Sequence, residues 1–273
     1  MHIIEIVIRQ LKALLPVGKP REGRNIVSAL YTALLECITL GQGIPRSINR
    51  EPVLRFSPWL RCLGNSYEPE VHAWLKQHVK AGDQVIDVGA QIGIHAMILA
   101  RWVGRSGKIH AFEPSPEGVK TLRRHLRLNR LENQVNVVEC ALGDSEGNAV
   151  LHMAGSNPIN TLAAPNSPDV LGMRVDVRVD RLDRYCAAKG VHPSMVKIDT
   201  EGWEYYILKG AGAMLRDERV HFVVEMHPFA WGNAGYSREE FERFFEANQI
   251  QAVPLTGQTD PMGEYGDVWL RRI

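Results

Sequence analysis

The chain has 273 residues, of which 45% are hydrophobic and 23% charged, and this composition is typical of a globular protein with a substantial buried core. Its formal net charge of +1 provides no basic excess, so we expect no nucleic-acid partner. The four cysteines are widely spaced without a C-x-x-C pair, which argues against a zinc site. We recognise neither a secretory signal nor an apolar run long enough to cross a bilayer, so we expect a cytoplasmic protein without an integral membrane segment.

The chain begins with two stretches of helical periodicity. Apolar residues recur at helical spacing over residues 1–15, and a second helix is predicted over about residues 25–40. We expect these helices to form an N-terminal helical appendage over residues 1–60, in front of a larger domain over residues 61–273. The appendage can be a cap on that domain, a lid over the substrate or an oligomer contact, and the pattern does not distinguish these roles.

From residue 84 onward, short apolar strands alternate with helices, which is the pattern of an α/β protein whose mostly parallel sheet carries helices on both faces. The predicted strands of this sheet are Val85–Val88, Lys108–Glu113, Val135–Cys140, Met195–Ile198 and Val220–Glu225. The predicted helices are Ile94–Val103, one that Ser115 and Pro116 open, Trp203–Leu215, and one that Ser237 caps and that ends near Asn248. Antiparallel strands are predicted at Val150–Met153, Val175–Val179 and, as a C-terminal hairpin, at residues 251–255 and 267–271.

In such a sheet, ligands bind beyond the carboxyl ends of the strands. The first strand is followed by the turn Asp87–Gly93, in which Gly89 and Gly93 permit a close approach of a ligand to the backbone. The G-x-x-x-G spacing differs from the G-x-G-x-x-G of dinucleotide-binding proteins, so it favours a ligand without a pyrophosphate, such as S-adenosylmethionine. Asp87 can bind the amine of this ligand, and the N–H groups of the turn, which includes Ala90 and Gln91, can bind its carboxylate.

Two further strand ends fit a nucleoside. Glu113 ends the second strand, where a carboxylate can accept hydrogen bonds from both ribose hydroxyls, and Pro114 and Ser115 can border the adenine. The third strand is followed by a segment that can contact the exocyclic amine of adenine, composed of Ala141, Leu142, Gly143 and Asp144. Alone, the glutamate can be a surface residue and the last segment a plain turn, whereas together with the glycine turn they favour a nucleoside site.

Charged residues cluster at the ends of the next two strands. Lys197 and Asp199 alternate with apolar residues, and Glu201 follows them. A lysine inside a strand is costly to bury unless it is paired, and Asp199 is its expected partner. The next strand ends in Glu225 and continues to His227, which we interpret as the general base because histidine changes its charge near neutral pH. We expect Asp199 or Glu225 to orient it and Lys197 to balance the local charge.

The same carboxylates and His227 can instead hold a divalent cation. We favour the acid–base interpretation and assign no metal ligand. Other histidines, His95 among them, are expected to be structural or surface residues. We expect the acceptor to be reached by a loop at Gly155–Pro168, by the N-terminal helices and by a wall at Trp231–Tyr236.

The segment Lys197–Glu204, K-I-D-T-E-G-W-E, resembles the K-I-D-x-E-G-x-E signature of the FkbM-type family of S-adenosylmethionine-dependent methyltransferases. The glycine turn and the segments Ala111–Pro114, Ala141–Asp144 and Glu225–His227 match that family in order and spacing, and the resemblance covers about residues 60–230. Thr200 and Gln91 stand where the family often has valine and asparagine.

The resemblance implies the Rossmann-like sheet of a class I methyltransferase, with S-adenosylmethionine as cofactor and S-adenosylhomocysteine as its product. It also implies that Tyr67 and Glu68 lie near the cofactor, and that a methyl group is transferred, often to a hydroxyl, on a sugar, lipid or natural product. We therefore expect a small-molecule, glycan or lipid acceptor as the partner.

Two other functions stay open. A nicotinamide-dependent oxidoreductase is disfavoured by the missing G-x-G-x-x-G. A non-catalytic nucleoside-binding module is disfavoured by the carboxylates at the strand ends, because a protein without catalysis need not keep them.

Overall fold

The computed structural model describes residues 22–153, 160–163 and 173–273. The helix predicted over residues 1–15 and most of the loop predicted at Gly155–Pro168 lie outside these residues. Among the residues described, no helix is both long and apolar enough to cross a membrane.

The chain divides into two compact units. One comprises Met1–Ile44 and Phe56–Leu63, and the other comprises Pro45–Arg55 and Gly64–Ile273. The domain boundary predicted after residue 60 falls inside the segment Phe56–Leu63, which belongs to the first unit.

The described part of the first unit contains helix α1 (Glu22–Ile38), close to the helix predicted over residues 25–40. Arg61 of the same unit fixes one side of this helix. Its guanidinium donates to Ser28 Oγ at 2.8 Å and to Thr32 Oγ1 at 3.1 Å, and it lies over the ring of Tyr31. These three residues share a side of the helix because residues three and four apart are neighbours on its surface.

Two short strands, β1 (Ile44–Arg46) and β2 (Leu54–Phe56), form a two-stranded sheet, and helix α2 (Pro69–His78) follows them. The further strands are β3 (Gln84–Val88), β4 (Lys108–Phe112), β5 (Val135–Val138), β6 (Ala141–Leu142), β7 (Gly147–Met153), β8 (Asn160–Thr161), β9 (Met173–Asp180), β10 (Met195–Ile198), β11 (His221–Met226), β12 (Ile250–Pro254) and β13 (Gly266–Arg272). The further helices are α3 (Ile94–Val103), α4 (Pro116–Asn129), α5 (Leu182–Lys189), α6 (Glu204–Lys209), α7 (Gly212–Leu215), α8 (Pro228–Ala234) and α9 (Arg238–Ala247).

The second unit is built on a seven-stranded sheet with the strand order β12-β13-β11-β10-β3-β4-β5. Strands β11, β10, β3, β4 and β5 are parallel, and β12 and β13 close one edge as an antiparallel pair. The central strands β3 and β10 are almost wholly buried, as expected in a sheet covered on both faces, and the charged residues Asp87 and Lys197 are buried with their apolar neighbours. The predicted Rossmann-like sheet with its C-terminal antiparallel hairpin is confirmed.

The register of the parallel strands determines which residues meet at their carboxyl ends. Lys197 lies opposite Asp87 on one side and opposite Val223 on the other. The carboxyl ends of these strands therefore lie at the same edge of the sheet, where Gly89 follows β3, Asp199 follows β10, and Glu225 is the last residue but one of β11. The sequence-predicted sites on three separate segments are brought to one place by this register.

A second sheet has the order β6-β9-β7-β8. Its strands β7 and β9 pair in antiparallel fashion from Gly147 opposite Val179 to Met153 opposite Met173. The predicted antiparallel excursion is therefore confirmed. Leu151 of β7 is buried in this sheet together with Ala141 and Val177, and the packing places the sheet beside the carboxyl end of β5.

Two predicted helix starts are confirmed in detail. Ser115 Oγ accepts a hydrogen bond from the N–H of Gly118, and Ser237 and Glu240 form a reciprocal capping box. The single helix predicted over Trp203–Leu215 is wrong, because the structure divides it into α6 and α7. Gly210 lies at the break, where a Cβ atom would overlap the carbonyl oxygen of Gly143, so this close backbone approach requires glycine.

Candidate active site

The glycine turn after β3 is held by its own backbone. The N–H groups of Gly89 and Ala90 both donate to the carbonyl of Phe112, and the N–H of Gly93 donates to the carbonyl of Ala90. Gly89 has a φ of +82°, and a Cβ atom there would overlap the carbonyl oxygen of Asp199. The turn after β3 therefore lies directly against the end of β10, and only glycine permits this approach.

This arrangement bears on one expectation about the turn. The N–H of Gln91 donates to Glu113 Oε2 at 2.8 Å, so the N–H groups of Gly89, Ala90, Gln91 and Gly93 all have partners within the chain. Their binding to a ligand carboxylate stays a prediction. The first turn of α3 offers the N–H groups nearest to them, because the opening N–H groups of a helix have no partner inside it.

Glu113 is buried and held by three donors. Besides Gln91, its Oε1 accepts from the N–H of Ser115 at 2.8 Å and from Ser115 Oγ at 2.5 Å. Burial raises the pKa of this carboxyl, while these hydrogen bonds act in the opposite direction. A carboxylate has about four acceptor positions, so one position is left for a ribose hydroxyl. Contact with both ribose hydroxyls stays a prediction.

A cavity of about 640 Å³ opens at this edge of the sheet. Sequence-predicted residues that line it are Gly89, Gln91, Glu113, Pro114, Ala141, Leu142, Asp199 and Glu201. Further lining residues, which sequence reasoning missed, are Leu151, Asn160 and Leu162 from the second sheet and its neighbourhood, and Trp203 and Ile207 from the segment after β10. The mainly apolar side chains on one wall and Glu113 on the other suit a nucleoside, which has a flat base and a polar ribose.

Gly143 and Asp144 do not line this cavity. The carboxylate of Asp144 pairs with Lys209 Nζ at 2.7 Å instead, and the carbonyl of Gly143 faces Gly210. This salt bridge engages the carboxylate that was predicted to contact the exocyclic amine of adenine. Ser115 is likewise absent from the cavity wall, because its hydroxyl is bound to Glu113 and caps α4.

A smaller pocket of about 280 Å³ adjoins the cavity and shares Gly89, Gln91 and Asp199 with it. Its other lining residues include Tyr67, Asp87, Ala90, His95 and Lys197. Asp87 is buried, and its Oδ2 has no hydrogen-bond partner in the described part of the chain. Such an atom is costly to leave unpaired, so it suits a ligand that brings a donor.

Lys197 is buried between two carboxylates. Its Nζ lies 3.5 Å from Glu68 Oε2 and 3.5 Å from Asp199 Oδ2, so the predicted partner of the lysine is confirmed and a second one is added. Burial alone lowers the pKa of Lys197, but the charges of Glu68 and Asp199 raise it well above its usual range. The lysine therefore keeps its charge although it is in the core.

Glu68 connects this pair to His95, whose Nε2 lies 2.8 Å from Glu68 Oε2. Burial raises the pKa of Glu68, but Lys197 and His95 outweigh this effect and hold the pKa far below its usual range. The expectation that His95 is an ordinary structural or surface residue is wrong, because it lines the smaller pocket. Tyr67 packs against the ring of His95. The side chain of Asn49 fixes the backbone of Tyr67, because it accepts a hydrogen bond from the N–H of Tyr67 and donates one to the carbonyl of Tyr67.

Asp199 and Glu225 form a carboxyl pair. Burial and the charge of Asp199 raise the pKa of Glu225 to about 9, so Glu225 keeps a proton near neutral pH and can donate it in a hydrogen bond to Asp199. The hydroxyl of Tyr265 donates to Glu225 Oε1. The nearer contacts of these two carboxyl groups are with each other, Lys197 and Tyr265, while Glu225 Oε2 lies 3.7 Å from His227 Nε2, so orientation of His227 by Asp199 or Glu225 stays a prediction.

Glu204 orients His227. Its Oε1 accepts from His227 Nδ1 at 2.9 Å and from the N–H of Gly202 at 2.8 Å, and its Oε2 accepts from Trp231 Nε1 at 3.2 Å. Both Glu204 and His227 are buried, with 0% and 1% of their surface exposed. Because Nδ1 faces Glu204, the other ring nitrogen, Nε2, faces the site: it lies 3.4 Å from Glu201 Oε2 and 3.7 Å from Glu225 Oε2.

The surroundings of His227 keep it protonated near neutral pH. Burial lowers its pKa, but the hydrogen bond to Glu204 and the negative charges around it, chiefly those of Glu204 and Asp199, raise it to about 9. Direct contact between His227 and an acceptor, as the sequence suggested, conflicts with this burial. Glu201 lines the cavity and is partly exposed, so it lies between the cavity and the imidazole.

Asp199, Glu201 and His227 each offer a ligand atom within 4.8 Å of the others, a spread that a divalent cation can bridge. The same three groups also suit proton transfer, since they join a cavity to a buried imidazole. Trp231, expected to form an acceptor wall, is buried against Glu204, as is Tyr236. Phe229 and Tyr265 lie beside His227 instead, and no sequence signal joined these two residues to the site.

Comparison with known proteins places the described geometry in a family. A family model described as the methyltransferase FkbM domain matches residues 87–251, more than half of the chain. The hexuronic acid methyltransferase AglP of Haloferax volcanii is 27% identical over 163 residues, which are 59% of this chain and 62% of that protein. A protein-L-isoaspartate O-methyltransferase of Methanothrix thermoacetophila is 32% identical over 93 residues, which are 34% of this chain and 40% of that protein. The chain thus spans less than two thirds of the length of these relatives.

Among solved structures, the methyltransferase FkbM from Methylobacillus flagellatus is similar with a TM-score of 0.46 and 16% identity, covering 69% of this chain and 43% of that chain. A fibrillarin from Aeropyrum pernix is similar with a TM-score of 0.42 and 14% identity, covering 74% of this chain and 73% of that chain.

Proposed function

Because the chain belongs to the FkbM methyltransferase family, we propose that it transfers a methyl group from S-adenosylmethionine to a hydroxyl of a sugar, lipid or natural-product acceptor. The family predicted from the segment Lys197–Glu204 is confirmed, and S-adenosylmethionine is its cofactor. The similarity to a hexuronic acid methyltransferase supports a sugar among the three acceptor classes.

The residues at the strand ends fit this cofactor. The close approach at Gly89 leaves the turn after β3 without side-chain bulk, between the larger cavity and the smaller pocket. We assign the nucleoside to the cavity beside Glu113 and the amino-acid end to the smaller pocket, where the unpaired Asp87 Oδ2 can accept from the amine. The carboxylates of Glu68 and Asp199 further favour a positively charged ligand.

The single observation that carries the proposal is the position of Asp199, which lines both the cavity and the smaller pocket. A group at this junction is close to the place where the two ends of the cofactor join. The bound cofactor supplies a methyl group already activated on a sulfonium, so the protein has to align an acceptor oxygen and take up its proton.

The proton path starts at Glu201 and ends at His227. Glu201 lines the cavity, where it can accept the proton of a hydroxyl, and its Oε2 lies 3.4 Å from His227 Nε2. Because a pKa of about 9 keeps most of His227 protonated near neutral pH, only the neutral fraction of the imidazole can receive this proton. In that fraction Nδ1–H donates to Glu204 and Nε2 carries the lone pair. Glu204 then balances the charge of the imidazolium, and Lys197 balances that of Asp199.

Titration with S-adenosylhomocysteine and with NAD tests the choice of cofactor by calorimetry. We expect saturable binding of S-adenosylhomocysteine and none of NAD. Asp87→Asn should weaken the binding of S-adenosylhomocysteine by about tenfold or more, because a hydrogen bond to a charged group is worth roughly 1.5–3 kcal/mol. Asp217→Asn is the matched control, since Asp217 lines neither the cavity nor the smaller pocket and pairs with Arg219. Binding of NAD alone would favour an oxidoreductase and overturn the proposal.

A further inference from the structure

Two exposed aromatic rings stand beside the buried His227. Phe229 of α8 is 69% exposed, and Tyr265, just before β13, is 59% exposed. Their ring centroids lie 5.7 Å and 5.4 Å from that of His227, and 6.2 Å from each other at an angle of 46°. A single exposed aromatic residue is ordinary on a protein surface, but a pair that adjoins a catalytic cluster requires an explanation.

The positions of these two rings are set by residues of the neighbouring site. The hydroxyl of Tyr265 donates to Glu225 Oε1, which holds its ring over the carboxyl pair of Glu225 and Asp199. Phe229 lies two residues after His227 at the start of α8, so its backbone position is set by the same chain segment that places the imidazole. The two rings therefore form an apolar surface that is exposed to solvent, and no other contact among the described residues compensates for this exposure.

The groups around the rings select the chemistry of an occupant. Asp199 and Glu201 carry carboxylate oxygens that accept hydrogen bonds, which suits a ligand rich in hydroxyl donors. The two cations of the cluster, Lys197 and His227, already face carboxylates. An anionic ligand would meet negative charge without a free cation to offset it, and a purely aliphatic lipid would bury these carboxylates against hydrocarbon.

We propose that Phe229 and Tyr265 form the acceptor subsite, on which a sugar ring without an anionic group stacks. The slightly positive C–H bonds on one face of such a ring match the negative faces of the aromatic rings. Its edge hydroxyls then point toward Glu201, which the proposed function makes the first proton acceptor. The inference rests on that function for the methyl-transfer step, whereas binding of the sugar can be measured without it.

Saturation-transfer NMR tests the subsite on protein saturated with S-adenosylhomocysteine. The probes are the methyl glycosides of glucose, galactose, mannose and rhamnose, and methyl glucuronide is the anionic counterpart. We expect saturation of ring C–H protons in at least one neutral glycoside, and weaker binding of the glucuronide. Phe229→Ala and Tyr265→Ala should each weaken the neutral glycoside by about fivefold, because aromatic contacts contribute roughly 0.5–1.5 kcal/mol beyond area burial.

Conservative variants separate stacking from other effects. Tyr265→Phe and Phe229→Tyr keep the rings and should retain the sugar signal, although the former loses the hydrogen bond to Glu225. Ile273→Ala is the matched control, because Ile273 is 72% exposed but lies at the other end of β13. Absence of signal from every neutral glycoside, tighter binding of the glucuronide, or unchanged binding in both alanine variants would each overturn the subsite.

The failure of this inference is distinguishable from the failure of the proposed function. If the subsite alone is wrong, S-adenosylhomocysteine still binds to the unaltered protein and to Phe229→Ala with the same affinity within about twofold. If the proposed function is wrong, the unaltered protein either does not bind S-adenosylhomocysteine or binds it and transfers no methyl group to any acceptor.

Discussion

Replacing Glu204 by glutamine tests the electrostatics of the site, because it removes one charge and keeps the side-chain shape. Glu204 supplies the hydrogen bond and the largest charge effect that raise the pKa of His227 to about 9. Burial, which lowers this pKa, is the largest single influence, and once Glu204 is neutral it is opposed only by the remaining acidic groups, among them Glu201, whose Oε2 lies 3.4 Å from Nε2. We therefore expect the pKa of His227 to fall toward the ordinary value of histidine, roughly 6.5 or lower.

The expected change is about 2.5 pH units, which corresponds to roughly 3 kcal/mol between the two protonation states. The pKa can be read from the chemical shift of the His227 Cε1–H as pH is varied. Its resonance is identified among the ten histidines by its loss in His227→Asn. No acceptor is needed for this measurement.

Tyr236→Phe is the matched control. It removes a hydroxyl that lies 3.4 Å from Glu204 Oε2 and 3.0 Å from the carbonyl of Gly202, but it leaves the charge of Glu204 in place. It should lower stability by about 1 kcal/mol and leave the titration near its original pH. A titration near 6.5 in the unaltered protein, or one near 9 in Glu204→Gln, would refute the reasoning.

Three further results are expected. Gly89→Ala should abolish S-adenosylhomocysteine binding and lower the free energy of unfolding by roughly 3 kcal/mol or more in a denaturant titration. Gly190→Ala, at a left-handed α conformation with open space around its Cβ, should cost only about 1 kcal/mol, and equal losses would contradict this reasoning. The melting temperature should fall as pH rises from about 6.5 to 9, because folded His227 and Glu225, with pKa values raised to about 9, hold protons that the unfolded chain releases. The stabilisation from these two groups is complete below their unfolded pKa values. A melting temperature that does not change with pH would contradict this reasoning. EDTA and added Mg²⁺ should leave methyl transfer unchanged, since the proposed path uses proton transfer alone. Loss of turnover in EDTA that Mg²⁺ restores would instead assign Asp199, Glu201 and His227 to a metal site.

The order of strands and helices could be predicted because hydrophobic periodicity and caps are local signals. Ser115 and Ser237 show this, since each marks a helix start that a few neighbouring residues determine. The strand-end positions of Asp87, Asp199 and Glu225 followed from the same signals, together with the rule that parallel strands end at one edge.

Other features depend on distant contacts and could not be predicted. A glutamate in the first turn of a helix, such as Glu204, is usually solvated, and its burial results from Trp231 and Tyr236 packing over it. Tyr265 meets Phe229 only because β13 pairs with β11 in a particular register. The salt bridge between Asp144 and Lys209 of α6 likewise depends on a contact between residues distant in the sequence, and the adenine contact of Asp144 stays a prediction.

Transfer of a labelled methyl group tests the central claim most directly. The protein is incubated with labelled S-adenosylmethionine and a library of hydroxylated acceptors, and the products are separated by mass. We predict label on an acceptor oxygen, with turnover lowered by roughly 100-fold or more in Glu201→Gln and in His227→Ala, the usual contribution of general acid–base catalysis. Binding of S-adenosylhomocysteine should stay within about twofold in both variants. Undiminished transfer in both, or no transfer to any acceptor by a protein that binds the cofactor, would contradict the account.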